Sequence, residues 1–324
     1  MPSAPAPRIA PPAPAPVGGR DPLRRVPPPV LLGAGILSVQ VGAGIAARTF
    51  GAITPAGLTG LRLWTAALLL AALGGRPALR RARAIAAERA WRDAAVATGF
   101  GVALAVMNFS IYQAFARIPL GIAVTIEFLG PLGVAVASSR RLVDLAWVGL
   151  AGTGVTLLGF AGTGAAHPAS AAPAGAATVT GVGFALVAGA SWAAYILLSA
   201  STGRRFAGAS GLTVAMAVAS VVIAPVAVAS AGAALLRPAV LAAGLAIGLL
   251  SSVIPYRFEL ETLRRVPPRV FGIWMSLEPA VAAGVGFVLL GQALAAAQWI
   301  AICCVIVASA GAALGAGRAP EPQA

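Results

Sequence analysis

Ten apolar segments run through this chain, at roughly 30–47, 57–74, 94–115, 119–138, 144–161, 180–200, 210–230, 239–258, 270–290 and 296–315. A helix of about 20 residues, rising about 1.5 Å per residue, spans the ~30 Å hydrocarbon core of a bilayer. Hydrocarbon offers no water to backbone N–H and C=O groups, so each segment must satisfy its own hydrogen bonds as a helix. Composition points the same way: 59% of the 324 residues are hydrophobic and 10% are charged. A water-soluble domain cannot hide that much apolar surface.

The charge is explained by topology. The formal net charge is +14, and all 23 basic residues are arginine. With the N-terminus in the cytoplasm, eighteen arginines fall on the cytoplasmic side, and only Arg48, Arg117 and Arg237 fall outside. That asymmetry is the positive-inside bias of a multi-pass membrane protein, with both termini cytoplasmic. It leaves no case for nucleic acid as a partner, whereas membrane lipid is one. Residues 1–29, rich in Pro, Ala and Arg, read as a disordered cytoplasmic tail. Residues 316–324 read as a second one. Cys303 and Cys304 are adjacent in an apolar run and read as inert buried thiols.

The two halves repeat. Arg117-Ile118-Pro119 is followed twelve residues after its proline by Pro131, and Arg265-Val266-Pro267 in the same way by Pro279. Gly57-Leu58-Thr59 recurs as Gly211-Leu212-Thr213, and Trp147 and Gly159 recur as Trp299 and Gly311. The arginine-free segment 162–179 reads as an external linker between a first repeat, 30–161, and a second, 180–315. Five spans is an odd number, so the second half enters the membrane from the opposite side. The expected fold is an all-α membrane protein: ten transmembrane helices in two inverted five-helix repeats.

A few polar residues sit inside these apolar runs, where they are costly and mark function or internal pairing. Glu127 lies about 12 Å into the fourth segment, where a carboxylate must be paired, hydrated or protonated. Arg62, at similar depth in the second segment, is its expected partner. It could bind a substrate carboxylate or simply neutralise Glu127. Glu278 precedes Pro279, and either helps form a kink or meets substrate. Asn108 and Tyr112, four residues apart, share one helix face. Gln40, Trp192, Tyr195, Trp274 and Ser276 could line the same cavity, or serve helix packing. Arg257, Glu259 and Glu261 read as a solvated interfacial cluster, or a gate, at the inner end of the eighth segment. His167, in the linker, has no evident role. The chain carries no phosphate loop, metal-ligand spacing or nucleophilic triad, so an enzyme is not expected and no cofactor is implied.

Specific stretches carry a family resemblance. They are Met107-Asn108-Phe109, Pro119-Leu120-Gly121-Ile122-Ala123-Val124, Glu127-Phe128, Gly130-Pro131-Leu132, and Ser138-Ser139-Arg140-Arg141 with Asp144. In the second half they are Ser191-Trp192-Ala193, Tyr195-Ile196, Pro255-Tyr256, Phe271-Gly272 and Met275-Ser276-Leu277-Glu278-Pro279-Ala280. Over 30–315 the chain resembles the EamA-type ten-helix carriers of the drug/metabolite transporter superfamily. Within them it is most similar to the bacterial threonine and homoserine exporter family. The resemblance implies an inner-membrane exporter of small amino acids driven by the proton gradient. Gly291-Gln292 departs from the Gly-Glu usual in that family, and the Pro-rich N-terminal tail lies outside its pattern.

The sequence thus points to a secondary carrier whose partners are a small zwitterionic metabolite and protons. The zwitterion's ammonium would compete with a proton at Glu127 while its carboxylate meets Arg62. The alternatives are the same fold with another cargo, a small metabolite or toxic amphiphile, or a non-transporting membrane scaffold or sensor.

Overall fold

The computed structural model describes residues 22–87, 90–137, 143–160, 174–205 and 210–316. Residues 1–21, most of the 162–179 linker with His167, the Ser138–Arg141 stretch and the tail beyond 316 lie outside the described residues. The protein is all-α. In chain order the helices are α1 (Pro28–Thr49), α2 (Pro55–Ala87), α3 (Trp91–Phe115), α4 (Leu120–Glu127), α5 (Leu129–Ala137), α6 (Val143–Phe160) and α7 (Ala174–Arg205). There follow α8 (Ser210–Ala231), α9 (Pro238–Gly248), α10 (Ile254–Leu263), α11 (Pro268–Met275), α12 (Glu278–Leu290) and α13 (Ala296–Ala316). Among the described residues, nine helical stretches are long and apolar enough to cross a membrane, and a shorter apolar stretch, Leu145–Val155, lies in α6. The perimeter carries large apolar side chains such as Leu68, Val221 and Val288, each more than 70% exposed, as a lipid-facing surface requires.

Three of the expected spans are broken, and prolines explain where. The fourth divides into α4 and α5, the ninth into α11 and α12. Proline has no N–H, so the carbonyl four residues before it loses its helix partner. Pro131 and Pro279 therefore strip the carbonyls of Glu127 and Met275, the last residues of α4 and α11. The offset of 148 that separates Pro131 from Pro279 also separates the ends of α4 from those of α11, so the repeated motif encodes a repeated break. The eighth span contains a π-helical turn, Leu249–Val253, between α9 and α10, just ahead of Pro255.

Packing follows the repeat. Equivalent spans meet each other: α2 with α8, α4 with α12, and α6 with α13. The remaining contacts exchange: α3 packs on α7 as α10 packs on α1, and α4 and α5 pack on α7 as α12 packs on α1. That pairing is what a pseudo-twofold between the halves generates, with the broken helices at its centre.

The two repeat arginines serve opposite ends of the bundle. Arg117 donates to the carbonyl and Oε1 of Gln113, both at 2.7 Å, and its guanidinium lies 5.0 Å from the Phe184 ring centre. Arg265 donates to the carbonyls of Leu23, Arg24 and Val26 and pairs with Glu261 at 3.5 Å. The last part of the segment read as a disordered tail is therefore held as a short 3-10 turn, Pro22–Arg25. Cys303 is exposed on the perimeter rather than buried, and Cys304 is half-buried.

The break in the fourth span needs close backbone contact. A Cβ on Gly130 would fall on the Gly189 carbonyl, and a Cβ on Gly189 would stand 2.8 Å from the Glu127 carbonyl. Small residues are how helices approach closely in lipid. Gly130→Ala is expected to destabilise the protein by about 1–3 kcal/mol through overpacking. Gly133→Ala, where a Cβ meets nothing within 4 Å, should change stability by less than about 0.5 kcal/mol. Thermal denaturation of the two variants in detergent micelles checks the contrast.

Candidate functional site

The broken spans enclose a cavity of about 200 Å³. Seven of the ten residues singled out from sequence line it: Gln40, Arg62, Asn108, Glu127, Trp192, Tyr195 and Glu278. Glu127 ends α4 and Glu278 begins α12, so both carboxylates hang from the breaks. Glu278 therefore belongs to a kink and to the cavity at once.

The carbonyls freed by Pro131 and Pro279 belong to the cavity-lining residues Glu127 and Met275, and the π-turn ahead of Pro255 adds Ser251 to the lining. The Ser251 carbonyl accepts a hydrogen bond from Arg62 Nη2 at 3.0 Å. Ser38 Oγ donates to the Leu250 carbonyl at 2.7 Å, and Ser251 Oγ to the Val39 carbonyl. The π-turn is thus tied to α1 by its serines and to α2 by Arg62. Pro225, inside α8, does not share this pattern, since Val221 faces the perimeter.

Arg62 does not pair with Glu127 as expected. Among the described residues the ion pairs run from Glu261 to Arg264 and Arg265. The Arg62 guanidinium is held instead by the Ser251 carbonyl and lies 5.4 Å from the Tyr112 ring centre. Its Nε is buried with no hydrogen-bond partner. Tyr112, fully buried, therefore supports Arg62 from behind rather than lining the cavity.

Elsewhere the polar groups are fixed more conventionally. Asn108 Nδ2 donates to the Leu104 carbonyl, one turn back. Gln40 Nε2 donates to Glu278 Oε1 at 2.9 Å, linking α1 to α12. Trp192 meets Phe128 edge-on at 5.3 Å, and the Tyr195 and Tyr256 hydroxyls are 3.0 Å apart. Trp274 and Ser276 do not line this cavity. Ser276 Oγ donates to the Ile273 carbonyl at 2.6 Å, capping the end of α11.

The sequence reading missed Glu259, Tyr256, Ser252 and Ser251. The eighth span runs on to Leu263, so Glu259 is a helical residue facing the cavity, not part of a solvated interfacial cluster. Glu261 is buried and paired, while Arg257 is exposed. A signal was present: Ser252, Pro255, Tyr256 and Glu259 follow the i, i+3, i+4, i+7 spacing of one helix face. Met216, which stands where the repeat would place a second Arg62, also lines the cavity.

At the Arg117 end a hydrogen bond ties the halves together. Helix α12 stops at Gly291, whose φ of 65° is the left-handed conformation glycine favours. The chain then turns so that Gln292 Oε1 accepts the Leu120 N–H at 2.9 Å. This caps the first turn of α4 with an oxygen.

One guanidinium and three carboxylates line the same small cavity. Comparison with known proteins places the chain in a family. Residues 179–314 match the model of the EamA-like transporter family. The threonine/homoserine exporter RhtA of Salmonella typhimurium is 37% identical over 284 residues, covering 88% of this chain and 90% of the relative. The protein of the same description from Escherichia coli K12 is 37% identical over 295 residues, covering 90% of this chain and 94% of the relative. A solved structure described as "Crystal structure of protein" shares the fold, with a TM-score of 0.56 at 21% identity, covering 89% of this chain and 98% of its own. The chain belongs to the EamA-like transporter family: it is a multi-pass membrane transporter and not an enzyme.

Proposed function

We propose that this protein is a secondary carrier that exports small amino acids such as threonine or homoserine across the bacterial inner membrane in exchange for protons. The observation that carries the reading is the cavity's charge pattern: Arg62 faces Glu127, Glu259 and Glu278 within about 200 Å³. That space is below the roughly 300–1,000 Å³ of sites for drug-sized ligands, and suits a smaller one. A zwitterion's carboxylate meets the Arg62 guanidinium, whose Nε has a hydrogen still to give. Its ammonium lies among the carboxylates. The ammonium and protons compete for the same carboxylates, which is the basis of exchange.

The relatives named as threonine/homoserine exporters support this cargo. The arginine asymmetry supports cytoplasmic termini. In this reading the repeats 30–161 and 180–315 rock against each other about the broken helices. The Gln292–Leu120 tie holds the outer side, and the Arg265 end forms the inner side.

Counterflow of labelled threonine into proteoliposomes preloaded with the unlabelled amino acid tests the reading. Wild-type exchange should respond to an imposed pH gradient. Arg62→Met should weaken apparent affinity roughly ten- to a hundredfold, the range for losing a hydrogen bond worth about 1.5–3 kcal/mol to a charged group. Exchange at wild-type affinity would remove Arg62 from the site.

A further inference from the structure

Two acceptors of one hydrogen-bonded pair stand without donors. Gln40 Nε2 donates to Glu278 Oε1, yet Gln40 Oε1 and Glu278 Oε2 are buried with no hydrogen-bond partner. The two residues are 1% and 8% exposed, and both line the cavity. Buried polar atoms are nearly always satisfied, so each exception calls for an explanation. These two, unlike the lone orphans Arg62 Nε, Tyr112 OH and Ser309 Oγ, belong to one pair, and both lack the same thing, a hydrogen. An ionised carboxylate only accepts, whereas a carboxylic acid also donates one O–H.

We propose that Glu278 is the exchangeable proton site of the carrier. One proton on Oε2 donates to Gln40 Oε1 and closes an acid–amide ring with the existing Nε2–H···Oε1 bond, and substrate ammonium replaces that proton on the same two oxygens. The second half of this statement rests on the amino-acid reading above. The exchange balances: the Oε2–H proton leaves to water, and the incoming ammonium keeps its charge and donates N–H to Glu278 Oε2 and Gln40 Oε1. Gln40 acts as a positioning residue that presents its acceptor in both states.

The surroundings suit a site that changes occupancy. Helix α12 packs on α1, α4 and α13. From α4 the titratable group is Glu127, at the cavity. From α1 there is only Arg48, exposed at the far end, and from α13 only Cys303 and Cys304. Across the cavity stand Arg62 on α2, Tyr195 on α7, and Tyr256 and Glu259 on α10. Arg62 is engaged by Ser251 and Tyr112, so no cation fills the Gln40–Glu278 acceptors. The proline break places Glu278 at the first residue of α12, and so the proton site moves with the hinge of the second repeat. This refines the sequence expectation, which gave that role to Glu127.

Infrared difference spectroscopy of the protein in lipid, across pH and with added threonine, tests the inference. A carboxylic-acid C=O band should be present in the wild type, absent from Glu278→Gln and retained in Glu127→Gln. It should shift in Gln40→Leu, which keeps the acid and removes its amide partner. Saturating threonine should abolish the band with release of a proton. A band set unchanged by Glu278→Gln, or a Glu278 band unmoved by Gln40→Leu, overturns the inference. If the Glu278 band behaves as stated but threonine neither alters it nor exchanges in counterflow, the proton site stands and the amino-acid cargo is refuted.

Discussion

A backbone hydrogen bond left unmade in hydrocarbon costs several kcal/mol, so non-helical backbone is tolerated at membrane depth only where protein or a cavity covers it. This chain withholds such a bond at Pro131 and Pro279, whose missing N–H groups strip the carbonyls of Glu127 and Met275, and opens a π-turn just ahead of Pro255. Glu127, Met275 and Ser251 of that turn line one cavity. The remaining features of the site depend on this. The Ser251 carbonyl holds Arg62, and two breaks set carboxylates at helix ends beside open space. Close packing of Gly130 on Gly189 covers the Glu127 carbonyl.

The same constraint links fold to function. A continuous helix would fix the ends of the fourth and ninth spans to each other, whereas a break lets each half-helix tilt at little further cost. The repeat arranges two such breaks about a pseudo-twofold, and α4 packs on α12 directly. Arg62 is unmatched by its repeat counterpart Met216, so the cavity's cation comes from the first half alone while its carboxylates come from both.

Much of this was legible in the sequence because lipid is an unforgiving solvent. Apolar length marked the spans, duplicated proline spacing marked the repeat and Pro279 a kink, and the cost of burying charge picked out Arg62, Glu127 and Glu278. What was not legible came from geometry that spacing does not carry. Glu259 was assigned to an interfacial cluster because charged residues from Arg257 onward look like the end of a span, while the helix continues to Leu263. Arg62 was expected on Glu127, but the Ser251 carbonyl of the π-turn in the other half claims it. Trp274 and Ser276 were offered as cavity or packing residues, and the break turns Ser276 back onto α11.

The central claim is that opposite charges in one cavity recognise the two ends of a zwitterion. Calorimetric titration of the purified protein with threonine, with its amino alcohol lacking the carboxylate, and with its 2-hydroxy acid lacking the ammonium tests this most directly. The account predicts that threonine binds and that each analogue binds at least about tenfold more weakly, the equivalent of ~1.4 kcal/mol. Equal affinity for threonine and either analogue would contradict it.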